Sequence, residues 1–394
     1  MNLSRITSKK SFASLGFSAV LSLFFLFPLQ ASEPVEAKKH VDEHTSSEHK
    51  KFNAGEMILE HISDSHEWHL YDYTNVEGKE IPVSVPLPIL IYNSGKIESF
   101  MSSKFNHGHD TVTTANGNSY YMDSKHHIQS KDGEGFFDFS ITKNVLALFT
   151  SAILILIIFI SVANSYTKTR LGKAPKGIQS VVEPFIIFIR DEVAKPSIGR
   201  NYNKYMPYLL SVFFFIWLNN LLGLIPIIPF GANLSGNIAF TMTLALFTFA
   251  ITTFSANKDY WIHIFNTPGV PWWLKFPIPL MPVVEFLGVF IKPFVLTLRL
   301  FANMTAGHII PLAFISLIFI FGSMGAAAGF GVSIMSVFLS LFMKVLELLV
   351  CFLQAYVFTL LSAMYFGMAV EEHHHEHDEE HTIGDEPSLY EAKH

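Results

Sequence analysis

Five stretches of the chain give up nearly all of their polar positions. Val145 to Ala163 carries no charge; Met206 to Phe230 and Asn237 to Ala256 follow, joined by the chargeless Gly231-Ala-Asn-Leu-Ser-Gly236. A fourth stretch runs from Ile278 to Met324 and a fifth from Val332 to Val370, joined by the small-residue link Gly325 to Gly331. About 20 apolar residues cross a bilayer core, so each stretch predicts a membrane helix. As helix the fourth would reach roughly 70 Å and the fifth roughly 58 Å, against about 30 Å of hydrocarbon. Neither has a polar end long enough to project into water. The pair therefore predicts a steeply tilted or kinked hairpin, with Pro293 and Pro311 as candidate kinks in the fourth helix.

Upstream the pattern is different. Residues 1–31 pass from Arg5, Lys9 and Lys10 through the apolar run Leu15 to Leu29 to Gln30-Ala31-Ser32, the order of a secretory signal peptide; an uncleaved first helix, interrupted at Pro28, is the alternative. Residues 32–140 are then an exported, periplasmic segment. Its part up to His66 is rich in Glu, Lys and His, the composition of a flexible arm. From Trp68 to Phe139, the run Ile81 to Tyr92 and the turn signals Asn93-Ser-Gly95 and Asn116-Gly117 predict a small β-rich decoration with prolines at strand edges. Between the first two crossings, Val182, Phe185, Ile186 and Ile189 share one face of Val181 to Val193, which predicts a helix lying in the membrane interface.

Charge sets the class and the orientation. Of 27 basic and 33 acidic residues, only Lys258, Asp259, Lys275, Glu285, Lys292, Arg299, Lys344 and Glu347 fall between Met206 and Val370. A soluble domain could not cover its surface with so few, so the chain is an all-α integral membrane protein with a small exported segment. The connection 167–205 holds eight Lys and Arg and 256–277 holds two, whereas 231–236 and 325–331 hold none. By the positive-inside rule the N-terminus is exported and the C-terminus, with the acidic His-rich tail 371–394, is cytoplasmic. No basic footprint for nucleic acid is present, and the single Cys351 lies in an apolar run.

The hairpin carries all the charge at membrane depth, where each charge costs about 2.5–3.5 kcal/mol and wants a reason. Glu285, Lys292 and Arg299 are spaced by seven and share a helical face; Asn303 stands one turn beyond Arg299. His308, nine residues after Arg299, falls roughly 180° round the helix. On the fifth helix Glu347 and Gln354 share a face, with Lys344 one turn before Glu347. Register-fixing ion pairs and snorkelling are the structural alternative for the two lysines. Arg299, which never deprotonates and has no carboxylate within a turn of its own helix, suits a carboxylate on another chain. His308 and Glu347 suit proton transfer. Histidines of the exported segment (His107 with His109, His126-His127) and of the tail read as solvated rather than as a closed zinc site, since the spacing of such sites is missing.

The run Leu296-Thr-Leu-Arg-Leu-Phe-Ala-Asn-Met-Thr-Ala-Gly-His308 resembles the signature of subunit a of F-type ATP synthases. So do Leu218-Asn-Asn-Leu-Leu-Gly-Leu-Ile-Pro226 with its Asn220, Glu285 with Lys292, Leu353-Gln-Ala-Tyr-Val-Phe358 and the ending Ala369-Val-Glu-Glu-His373. The resemblance covers about residues 141–373, including the membrane domain 141–370, and implies a non-catalytic, cofactor-free, multi-pass subunit of the bacterial inner membrane. Its partners would be a ring of c subunits, the subunit b stator and the catalytic head. It implies proton translocation through two half-channels, with Arg299, Asn303, His308, Glu347 and Gln354 at the path and Glu285, Lys292, Asn220 and Lys344 in support. Two departures stand out: many bacterial members have the acid and the imidazole of His308 and Glu347 exchanged, and some carry an aspartate where Gly223 stands. The rival, a His-rich secondary metal-ion transporter, would need convergent ligands at the midplane, yet no Asp lies between Asp259 and Asp378. A membrane metalloprotease would need His-Glu-x-x-His, which does not occur.

Overall fold

A computed structural model describes residues 53–74, 80–106, 108, 110–123, 127–131, 135–168, 176–225, 231–265 and 280–371. The signal-peptide region, His107, His109, His126, Lys275 and the tail beyond Glu371 lie outside them. Among the described residues the N-terminal segment begins with helix α1 (Ala54–Ile62) and continues through eight strands: β1 (Glu67–Thr74), β2 (Glu80–Pro86), β3 (Pro88–Asn93), β4 (Lys96–Met101), β5 (Val112–Thr113), β6 (Ser119–Met122), β7 (Ile128–Ser130) and β8 (Phe137–Asp138). They form three small antiparallel sheets, β1-β2, β4-β3-β8 and β5-β6-β7. Both turn signals hold: Ser94 and Gly95 turn β3 into β4 with positive φ, and Gly117 does the same between β5 and β6. Ile89, Ile91, Phe105 and Tyr120 are fully buried between the sheets. The arm expected to be flexible up to His66 is corrected in part: its apolar Met57, Ile58 and Ile62 recur at helical spacing, and α1 forms there.

The membrane part follows. Helix α2 (Lys143–Lys168) leads to α3 (Ile178–Phe188), a π turn (Ile189–Ala194), the short α4 (Lys195–Ile198), a 3-10 turn (Gly199–Asn201) and α5 (Tyr202–Gly223). A 3-10 turn (Leu234–Gly236), α6 (Ile238–Ser255), α7 (Lys258–Phe265), α8 (Leu280–Met324) and α9 (Ala326–Val370) complete the order. Among the described residues five helical runs are long and apolar enough to cross a membrane: Lys143–Thr167, Ile178–Gly223, Ile238–Ser255, Met281–Met324 and Ala326–Val370. Val182 and Ile189 of the expected interface helix are buried, with Phe185 and Ile186 packed beside them.

The hairpin differs from expectation in its turn. Residues 326–331 are helical, so α8 and α9 each have 45 residues and meet at Gly325 alone. Gly325 has φ 155° and ψ 150°, a region open essentially to glycine, and the three alanines after it favour helix once the turn is made. Beside this turn the backbones cross closely, since a Cβ on Gly329 would lie 2.9 Å from the Cα of Gly322. Neither Pro293 nor Pro311 interrupts α8.

Inside the bundle α5 presents fully buried Leu209, Phe213 and Ile216 to small residues of α9, Ala355 and Ala363, and to Phe366. Small faces let helices approach where lipid supplies no hydrophobic drive. Several polar side chains find partners on a neighbouring helix, since a bilayer core offers none. The Thr248 hydroxyl of α6 meets Tyr208 Oη of α5 at 2.8 Å and Ser362 Oγ of α9 at 3.3 Å. At one end of the bundle the 3-10 turn Leu234–Gly236 packs near α2 and α8. At the other, the Asn257 backbone N–H donates to the Ala369 carbonyl. That is the arrangement an odd number of crossings demands.

Candidate functional site

The middle of the hairpin has two unlike sides. On the outer side of α8, Arg299 and Asn303 are exposed one turn apart, among exposed Val295, Leu298 and Phe294. None of the ion pairs among the described residues involves Arg299. On the inner side His308 is half-buried, its side chain 11% exposed, and Glu347 of α9 is buried, its side chain 2% exposed. Nine residues of α-helix separate Arg299 from His308, and the half-turn this leaves is what sends one outward and the other inward.

His308 Nε2 and Glu347 Oε1 are 3.6 Å apart, longer than a hydrogen bond. Both atoms are buried and neither has a hydrogen-bond partner. The other carboxylate oxygen, Oε2, accepts from Lys344 Nζ at 2.9 Å, as the spacing in α9 anticipated. A buried carboxylate held on one side by an ammonium and facing an imidazole on the other can exchange a proton with that imidazole through a small shift or one water. Gln354, two turns further along α9, is also buried.

Lys292 and Glu285 sit elsewhere on α8. Lys292 lies 5.5 Å over the Tyr365 ring, in a cleft lined by Thr248, Thr252, Tyr260 and Tyr365, and Glu285 is half-buried near Tyr260. The structure thus brings His308, Glu347 and Lys344 together and keeps Glu285, Lys292 and Arg299 as a separate row along α8. Asn220 is buried and accepts from Ser235 Oγ at 2.6 Å. No group of three or more His, Cys, Asp or Glu suited to a metal occurs among the described residues.

Three positions acquire a role only in three dimensions. A Cβ on Gly307 would lie 2.9 Å from Glu347 Oε1, so α8 passes directly against the carboxylate there. A Cβ on Gly223 would lie 3.8 Å from His308 Nε2, so the place where some relatives of the resembled family carry an acid adjoins this imidazole. Ser235 was found only through its bond to Asn220. Gly223 stands out in the sequence as a departure from the resembled family and Gly307 as a neighbour of His308, but without a fold neither can be tied to the His308–Glu347 pair.

The ATP synthase A chain family matches residues 145–367. The chain belongs to that family. Arg299, Asn303, His308, Glu347 and Gln354 all fall inside the matched span. Among curated relatives the membrane part is 44% identical over 252 residues to ATP synthase subunit a of Chloroherpeton thalassium, covering 62% of this chain and 71% of the relative. It is 47% identical over 247 residues to ATP synthase subunit a 2 of Chlorobaculum tepidum, covering 61% and 66%. Identity to ATP synthase subunit a of Chlorobium phaeobacteroides is 44% over 252 residues, covering 63% and 71%. Residues 57–146 match a second family, described as a domain of unknown function (DUF8433). The β-rich N-terminal segment is therefore a recognisable module joined to α2.

Proposed function

We propose that this chain is the proton-conducting stator subunit of a bacterial F-type ATP synthase, multi-pass in the inner membrane, with an exported N-terminus and a cytoplasmic C-terminus. Residues 1–31 are a signal peptide, 32–140 the exported segment, 141–370 the membrane domain and 371–394 a cytoplasmic tail. The subunit is not itself catalytic. It works against a ring of c subunits and is held by subunit b to the catalytic head.

One observation carries this reading: an exposed arginine with no ion pair among the described residues, on the outer side of the hairpin, opposite a buried imidazole and carboxyl on its inner side. The exposed guanidinium is available to a carboxylate on a neighbouring ring. Approach of that carboxylate to a permanent cation favours its ionised form, so it releases its proton on one side of Arg299 and takes one up on the other. The same cation bars a proton from passing directly between the two half-channels. His308 and Glu347 hand protons to or from the exported-side half-channel, with Asn303, Gln354 and Asn220 shaping the path. Lys344 keeps the Glu347 carboxylate in place, and the row Glu285, Lys292 serves the cytoplasmic side. Each charge crossing 100 mV releases about 2.3 kcal/mol, and that energy turns the ring only if this barrier holds.

Arg299→Ala is expected to abolish ATP-driven proton pumping by the reconstituted complex while the catalytic head still hydrolyses ATP. Coupled pumping at the normal rate by that variant would remove the assignment.

A further inference from the structure

The exported module is seated on the membrane domain by a compact set of bonds. Asp64 Oδ2 accepts from Thr142 Oγ1 at 2.8 Å, and its Oδ1 accepts from the Asn144 backbone N–H at 3.1 Å. The Lys143 N–H donates to the Ser65 carbonyl at 3.0 Å, and Lys143 Nζ donates to the His61 carbonyl at 3.4 Å. Asp64 thus satisfies backbone at the start of α2 that the helix cannot satisfy itself. The bonds fix the C-terminal end of α1, and α1 in turn packs against α8, the helix that bears His308. His308 Nε2 lies beside Gly223 and the link 231–236: a Cβ on Gly223 would lie 3.1 Å from the Ala232 carbonyl oxygen and 3.8 Å from Nε2. Buried polar atoms without hydrogen-bond partners occur on α2 and α8 and on the facing α9: Asn144 Oδ1, Thr305 Oγ1, His308 Nε2 and Glu347 Oε1. Buried polar atoms of this kind call for water.

We propose that α1 of the exported module walls the outer mouth of the path to His308 and Glu347, and that His61, exposed in its last turn, is the first protonatable side chain on that path. In the forward step an imidazole nitrogen of His61 takes a proton from exterior water. It gives the proton to path water that leads to His308 and returns to neutral, so nothing is consumed. An imidazole is the side chain that can do this near neutral pH without a perturbed environment. The inference rests on the reading of His308 and Glu347 as a proton-handling pair.

The test uses the intact complex in vesicles with the exported face lining the lumen, driven by an imposed proton gradient and read as the rate of ATP synthesis. His61→Ala is expected to lower that rate on the order of tenfold. An impermeant imidazole sulfonate loaded in the lumen is expected to restore much of it. A rate equal to the unaltered complex overturns the proposal, and so does a loss that the buffer leaves untouched, since that marks a structural role. Asp64→Ala, which removes the seat but keeps His61, is expected to slow synthesis with the complex still assembled; an unchanged rate overturns the wall. If Arg299→Ala pumps normally, the reading of the whole site fails. If Arg299→Ala is inactive and His61→Ala is normal, only the role of the exported module fails.

Discussion

A single methyl group separates a working geometry from a displaced one at Gly307, where an added Cβ would stand 2.9 Å from the Glu347 oxygen that faces His308. The carboxylate is the end of a flexible side chain and can swing aside, so Gly307→Ala is expected to leave the complex assembled but to slow pumping. Equal pumping rates at equal complex yield would show that the position of Oε1 does not matter. The His308–Glu347 pair makes a sharper demand. If the two act as one acid and one imidazole across two helices, exchanging them as His308→Glu with Glu347→His restores more pumping than either single change leaves. A double variant no better than the worse single one would mean that each residue acts alone.

At the scale of elements, the helices are held where side chains are missing. A Cβ on Gly367 of α9 would run into the Ser197 carbonyl of α4, and both partners there are backbone, which cannot step aside as a side chain can. Gly367→Ala is therefore expected to loosen the contact of α9 with α4 at a cost of about 1–3 kcal/mol, seen as a lower thermal midpoint of the detergent-solubilised chain. The same substitution at Gly288, where a Cβ meets nothing within 4 Å, is the control and is expected to leave the midpoint unchanged. Equal midpoints for the two variants would show that the close approach carries no stability.

At the scale of the whole molecule two differently built parts meet at the start of α2. In the β-rich N-terminal module burial alone would raise the Glu98 carboxyl. Hydrogen bonds from Asn116, Thr114, Tyr120 and Asn118 outweigh it and hold Glu98 below its ordinary range. Asp138 is likewise lowered, because the His66 imidazole 3.8 Å away and hydrogen bonding from Ser140 overcome its burial. A carboxyl lowered on folding stabilises the fold fully above its unfolded value near 4, and that contribution is lost as pH falls through the folded value. Hydrogen exchange in the β3 and β4 strands is thus expected to be slow and steady above about pH 5 and to quicken below about pH 4, after correction for the intrinsic pH dependence of exchange. A flat corrected profile would deny these two groups that role. The sequence alone determined the number of crossings, the long hairpin and the opposed placement of Arg299 and His308, because helical period and bilayer thickness convert spacing directly into geometry. It also carried the two hairpin turns of the β-rich N-terminal module through their glycines. Only the tertiary structure decided that Glu347 meets His308, that Gly307 and Gly223 crowd that pair, that the hairpin turns on Gly325, and that α1 lies against α8. Those are contacts between residues far apart in the chain, and they depend on which helix faces pack together, which no local pattern of polar and apolar positions encodes.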